Sequence, residues 1–177
     1  VTGTNSNGCV NTATVTVTVN SLPTIIGGSN VAICTGSSTT LNATGGVTYT
    51  WALGTGLSAT TGASVTANPT STTVYTVTGT NSNGCVNIAT VTVTVNSLPT
   101  ISGGSNVAIC TGSSTTLNAT GGVTYTWAPG TGLSATTGAS VTASPTSTIT
   151  YTVTGTNSNG CVNTATVTVT VNSLPTI

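Results

Sequence analysis

The sequence predicts an all-β array of tandem β-sandwiches with a period of 76 residues. Three observations carry this: near-exact internal repetition, strict alternation of valine with threonine, and Asn, Gly and Pro signals between the alternating runs. Val1–Cys9 returns as Val77–Cys85 and as Val153–Cys161, and Trp51, Cys34 and Tyr75 map onto Trp127, Cys110 and Tyr151. Between 1–76 and 77–152 only six positions differ: Thr12/Ile88, Ile26/Ser102, Leu53/Pro129, Asn68/Ser144, Thr73/Ile149 and Val74/Thr150. Arrays copied this closely are selected for length, spacing or multivalency rather than for one active site.

Each run has its own justification. Ala13–Val19 alternates with period two, as do Ala89–Val95 and Ala165–Val171, placing Val on one face and Thr on the other. Both residue types are β-branched and favour extended backbone. Thr40–Thr44 sends Leu41 and Ala43 to one side, and Val47–Trp51 groups Val47, Tyr49 and Trp51. Ser64–Ala67 and Thr73–Thr78 complete the set, with Tyr75 and Val77 sharing a face. No window shows a 3.6-residue apolar period, so no helix is expected. Turns fall at Gly45-Gly46, Gly54–Gly56, Thr61-Gly62, Asn68-Pro69 and Thr80–Gly84, and Asn96–Pro99 is the linker between repeats. The expected organisation is 1–20 as the last strands of a truncated repeat, 24–96 and 100–172 as full repeats, and 173–177 as a linker. The expected core is Leu41, Trp51 and Tyr75, with Leu117, Trp127 and Tyr151 as their copies.

Composition excludes most chemistry. The chain has no Lys, Arg, Asp, Glu or His, and no Gln, Met or Phe. Nucleic-acid binding needs cations to replace counterions, and calcium sites of the usual kind need carboxylates. Zinc needs clustered Cys or His, whereas these cysteines stand 25 or 51 residues apart. No base is present to activate the many hydroxyls, so catalysis and cofactors are not expected. Gly27-Gly28 and Gly54–Gly56 open no helix after a strand, so phosphate binding fails too. Asn42-Ala-Thr44 and Asn118-Ala-Thr120 fit the N-glycosylation pattern by chance in a Thr-rich chain. The longest apolar stretch, Ala89–Val95, falls far short of the roughly 20 residues a spanning helix needs. The chain opens in mid-repeat, so a longer parent protein is expected. An uncharged surface needs hydroxyl hydration, Ser/Thr glycans or packing into a fibre to stay soluble.

Ala32–Leu41, Tyr49–Ser58 and Tyr75–Cys85, in the order Cys-Gly, Trp, Tyr, Gly-Cys, resemble the Ig-like and PKD-like repeats of very large Bacteroidota surface proteins. These include gliding-motility adhesins and other cargo of the type 9 secretion system. The resemblance covers essentially the whole chain, although many such repeats carry some Asp or Lys and this one carries none. It implies tandem immunoglobulin-like sandwiches, an extracellular or cell-surface location, and a spacer or adhesive role.

An extracellular setting and two cysteines per repeat imply disulfides. Two connectivities stay open. Cys34–Cys85 and Cys110–Cys161 would close a 51-residue loop inside each repeat, worth roughly 4 kcal/mol in the chain-entropy model. In an Ig sandwich, however, Cys34 and Cys85 belong to turns separated by a strand of about 6 residues, on the order of 20 Å. Cys34 would then meet Cys161 across a junction, and Cys9 would pair outside the fragment. The functional expectation is a non-enzymatic segment of a long secreted surface or filament-forming bacterial protein, acting as a stiff spacer or fibre. Its partners are adjacent repeats and other copies of itself. The alternatives are an adhesive module for glycans or surfaces, or an ice-binding array on rows such as Thr12–Thr18 and Thr164–Thr170.

Overall fold

Fourteen strands and no helix make up the computed structural model, which describes residues 1–177. A hairpin of β1 (Thr2–Thr4) and β2 (Val10–Thr12) comes first. The first full repeat contributes β3 (Val31–Cys34), β4 (Thr39–Asn42), β5 (Thr48–Ala52), β6 (Ser64–Ala67), β7 (Thr73–Thr80) and β8 (Val86–Asn96). The second repeats this as β9 (Val107–Cys110), β10 (Thr115–Asn118), β11 (Thr124–Ala128), β12 (Ser140–Ala143), β13 (Ile149–Thr156) and β14 (Val162–Asn172). Each repeat forms a four-stranded sheet, β3-β8-β7-β5 or β9-β14-β13-β11, and a two-stranded sheet, β4-β6 or β10-β12. The 11-residue strands β8 and β14 run parallel to the short strands β3 and β9.

By packing, the residues fall into two compact units. One comprises Val1–Ser29, Thr40–Thr66 and Tyr75–Val91; the other comprises Asn30–Thr39, Ala67–Val74 and Thr92–Ile177. The core of the second unit joins Leu117, Val141 and Ala143 of the small sheet to Tyr125, Trp127, Tyr151, Val153, Val167 and Val169 of the large one. Val167 and Val169 are buried because alternate positions of β14 face this core, while Thr166 and Thr170 face outward. In the first unit Leu41, Trp51, Tyr75, Val77 and Val91 are likewise buried.

The aromatics keep their polar ends satisfied. Trp51 Nε1–H donates to the Gly62 carbonyl at 3.0 Å, and Trp127 does the same to Gly138 at 3.0 Å. The Tyr75 and Tyr151 hydroxyls donate to the Thr55 and Thr131 carbonyls at 2.9 and 2.7 Å. Gly79 and Gly155 sit inside strands because a Cβ there would strike the Cδ1 of Ile25 or Ile101, the residue that brings the linker into each core. The edge of β5 is closed by the 60–62 segment, through Trp51 N–H to Thr60 O and Gly62 N–H to Tyr49 O.

Two expectations are corrected. Val47 does not join Tyr49 and Trp51 inside: it is 67% exposed and precedes β5. The Tyr49 hydroxyl folds back to accept from Gly46 N–H and donate to Gly46 O, so the tyrosine fills the space beside the turn. Ala13–Val19 forms no strand, and Val15 and Val17 are exposed. In the third copy the equivalent residues pair as Val153↔Ala165, Tyr151↔Val167 and Ile149↔Val169. Shifted onto the first copy, that register gives Ala13 the partner Val1, with which it exchanges backbone hydrogen bonds of 2.8 Å, and gives Val15 and Val17 no partner within this chain. Alternation alone does not make a strand; a neighbour must supply the ladder.

The titration behaviour follows directly. With no carboxylate, imidazole, ammonium or guanidinium side chain, no side chain changes charge between about pH 4 and about pH 7. Burial raises the Tyr151 phenol above its ordinary value. The fold therefore favours the neutral phenol, and this contribution is complete below about pH 10 and falls as pH climbs beyond it. Thermal melts should show a midpoint that is flat from about pH 4 to 7, insensitive to salt, and lower at strongly alkaline pH. A midpoint that moves inside the flat window would contradict this.

Candidate functional site

The candidate site is the joint where one repeat gives way to the next, around Asn96–Pro99. It lies inside the second unit. On one side, β3 ends at Cys34, held in register opposite Asn96 at the end of β8. The Asn96 carbonyl accepts from Thr35 N–H at 2.9 Å and from Thr35 Oγ1–H at 3.1 Å, and Ser37 N–H closes a turn onto the Cys34 carbonyl at 2.9 Å.

On the other side stands the β13–β14 hairpin, organised by one carboxamide. Asn157 Oδ1 accepts from Asn159 N–H and Cys161 N–H, both at 3.0 Å, fixing the loop that presents the cysteine. Its Nδ2–H donates to the Ser97 carbonyl at 3.0 Å, and Asn163 Nδ2–H donates to the Pro99 carbonyl at 2.9 Å. The linker is thus hydrogen-bonded along its length to the hairpin of the repeat that follows it.

Cys34 and Cys161 are joined by a disulfide with Cα atoms 5.6 Å apart. Cys161 Sγ lies 3.9 Å from the Asn96 carbonyl oxygen; bonded to Cys34, it has no hydrogen to donate, so this is a close approach only. The bond encloses 127 residues of sequence separation, worth about 5 kcal/mol in the chain-entropy model. The alternative pair Cys34–Cys85 is not formed, and Cys85 is a free thiol, as are Cys9 and Cys110. The reason is length. Cys34 pairs with the end of β8 and Cys85 precedes its start, and 11 extended residues span on the order of 35 Å. A disulfide bridges Cα atoms no more than about 7 Å apart.

The same hairpin recurs upstream. Asn81 Oδ1 accepts from Asn83 N–H and Cys85 N–H, Asn81 Nδ2–H donates to Ser21 O, and Asn87 Nδ2–H donates to Pro23 O. Asn5 Oδ1 accepts from Asn7 and Cys9 N–H in the first hairpin. The predicted core residues Leu41, Trp51, Tyr75, Leu117, Trp127 and Tyr151 are all buried, and the tryptophan and tyrosine side chains donate to the carbonyls of Gly62, Thr55, Gly138 and Thr131, outside the linker and its hairpin. The asparagines that tie the linker were not singled out from the sequence. Their signal is the run Asn-Ser-Asn-Gly-Cys-Val-Asn, present three times without change.

Residues 21–99 and 97–175 each match the family described as Ig-like domain, CHU_C associated. The chain belongs to that family. Its two Ig-like domains follow one another in tandem, in agreement with the resemblance carried by the cysteine, tryptophan and tyrosine motifs. Among solved structures, the crystal structure of DIP-gamma Ig1 and Ig2 is similar over 86% of this chain and 98% of that one, at 15% identity and a TM-score of 0.42. Drosophila OTK extracellular domains 3–5 are similar over 85% of this chain and 60% of theirs, at 14% identity and a TM-score of 0.46. The insect immune protein hemolin is similar over 85% of this chain and 47% of its own, at 17% identity and a TM-score of 0.43. No curated protein matches the chain.

The Asn157 amide can be tested without disturbing the hairpin. Asn157→Asp keeps an oxygen to accept from Asn159 and Cys161 but removes the hydrogen given to Ser97. Urea melts should show a loss of about 1 kcal/mol at neutral pH, shrinking at low pH where a protonated carboxyl again donates. An unchanged midpoint at neutral pH would mean that the amide hydrogen does nothing for the joint.

Proposed function

We propose that this chain is a non-catalytic, tension-resisting spacer: a segment of a secreted bacterial surface or filament-forming protein whose repeats are held at fixed spacing. The single observation that carries this reading is the disulfide from Cys34 to Cys161. Pulled from its two ends, the chain transmits force from residue 34 to residue 161 through the sulfurs. The residues between them lie off the path of the load. Side chains without carboxylates, imidazoles or cations support the non-catalytic part of the reading. An Ig-like fold carrying a disulfide supports an extracellular location.

The test is single-molecule pulling from residues 1 and 177. In oxidised protein the 127-residue interval should stay hidden, and reduction should release an added contour length on the order of 400 Å. Release of that length before reduction would remove the basis for the spacer reading.

A second reading, water or surface ordering by threonine, is favoured by one observation. On the outward face of the second large sheet the register sets Thr124 against Thr156, Thr126 against Thr154, Thr152 against Thr166 and Thr150 against Thr168. The last pair is hydrogen-bonded through Oγ1 atoms 2.9 Å apart. An ice-binding role requires thermal hysteresis from the folded chain that disappears on replacing Thr152 and Thr166 with valine at unchanged melting temperature; freezing behaviour no different from buffer would eliminate it.

A further inference from the structure

We propose that Asn159-Gly160, at the tip of the β13–β14 hairpin, is a self-modification site: an asparagine that converts to aspartate or isoaspartate at a rate set by how often the joint opens. Three asparagines stand between residues 157 and 163, and two of them hold the linker, Asn157 through Ser97 and Asn163 through Pro99. Asn159 is exposed and its carboxamide makes no hydrogen bond within the chain, while its backbone N–H is held by Asn157 Oδ1 at 3.0 Å. The next residue is glycine, in the left-handed region at φ +77°, with nothing within 4 Å of where a Cβ would stand. An asparagine side chain is chemically labile. With no side chain on the residue that follows, nothing shields the Asn159 Cγ from the Gly160 nitrogen.

The chemistry needs only water. Gly160 N bonds to Asn159 Cγ and gives up its proton, Nδ2 leaves as ammonia, and a five-membered succinimide results. Water then breaks one of the two bonds from the imide nitrogen to a carbonyl carbon. Breaking the bond to Cγ gives aspartate. Breaking the bond to the main-chain carbonyl gives isoaspartate, with the backbone rerouted through Cβ. Each conversion consumes one water and releases one ammonia, with no change of oxidation state. The product is a carboxylate in a chain whose sequence has no Asp or Glu.

In the closed hairpin that nitrogen is occupied. Gly160 N–H donates to Asn157 O at 3.1 Å, Cys161 N–H to Asn157 Oδ1 at 3.0 Å, and Asn157 N–H to Cys161 O at 2.9 Å. Ring closure requires Gly160 N to leave Asn157 O and turn onto Cγ, so it proceeds from an opened hairpin. Opening is opposed by both linker bonds and by the disulfide to Cys34. The joint therefore protects the site. Isoaspartate adds a backbone atom between Asn157 and Cys161, which keeps an opened loop from closing on the same bonds. Asn-Gly recurs at 83–84 and 7–8, with Gly84 and Gly8 N–H on Asn81 and Asn5 O at 3.1 and 3.0 Å, so the array carries one such dipeptide per period. This goes beyond the spacer reading: an asparagine that never converts leaves the load path through sulfur as it is.

The experiment incubates the full oxidised chain in warm, mildly alkaline buffer, folded and in guanidinium. Peptides are mapped by mass spectrometry after chromatography that separates aspartate from isoaspartate. Asn159 should convert in guanidinium and at least about tenfold more slowly in the folded chain, since an opening that costs about 1.4 kcal/mol already gives that factor. Asn163→Ser loses the bond to Pro99 and leaves the loop bonds of Asn157 in place, so it should speed conversion several-fold in the folded chain with the disulfide intact. Asn159→Ser should abolish the new acid at this peptide without moving the melting midpoint. Asn159 unconverted in guanidinium, equal rates in the folded and unfolded chain, no acceleration by Asn163→Ser, or a lowered midpoint in Asn159→Ser would overturn the proposal.

Discussion

The tie between linker and hairpin is the constraint on which the joint depends, and the carboxamides of Asn157 and Asn163 make it. Asn157 fixes its own hairpin through Oδ1 and the incoming linker through Nδ2. In most proteins a junction of this kind would draw on charged pairs. Here there are none to draw on, so directional hydrogen bonds from asparagine must set the approach of one repeat to the next. Those bonds place Cys161 beside the end of β8, where Cys34 is presented by its parallel ladder with Asn96. The disulfide and these neutral hydrogen bonds hold the same geometry together.

The absence of charge also explains how the surface is built. The strands put valine inward and threonine outward, and threonine supplies hydroxyls that hydrate or pair across the sheet without repelling a neighbour. Polar atoms inside are few and all are satisfied: no buried side-chain nitrogen or oxygen lacks a partner. A chain without long-range repulsion approaches its own copies freely, which is a hazard for a monomer and an advantage for a polymer.

Much of this was legible in the residues. The period, the all-β class, the long alternating strands and the hairpin turns follow from repetition, β-branching and Asn-Gly chemistry, and they survive in β7, β8, β13 and β14. Where the pattern misled, the missing information was non-local. Ala13–Val19 has the same sequence as Ala165–Val171 but not the same neighbours, so identical residues end in different states. Val47 keeps the alternation of Tyr49 and Trp51, yet the Tyr49 hydroxyl claims the turn before it. The joint was the hardest part to anticipate. Its asparagines act across 60 to 64 residues of sequence, and spacing within one repeat reveals nothing about such contacts.

The cysteine spacing has a topological consequence that an intra-repeat bond would not. The Cys34–Cys161 interval is 127 residues, longer than the 76-residue period, and Cys110 lies inside it. A bond of the same kind starting at Cys110 would therefore open its loop before the first had closed. Successive loops of this kind would overlap, and the one present already leaves the two sides connected through sulfur when a peptide bond between residues 34 and 161 is broken. A bond within each repeat would stabilise single domains but leave every linker as a severable tether. A bond that spans the junction moves the covalent security from the domain to the connection between domains, the kind of segment where proteolytic nicking concentrates.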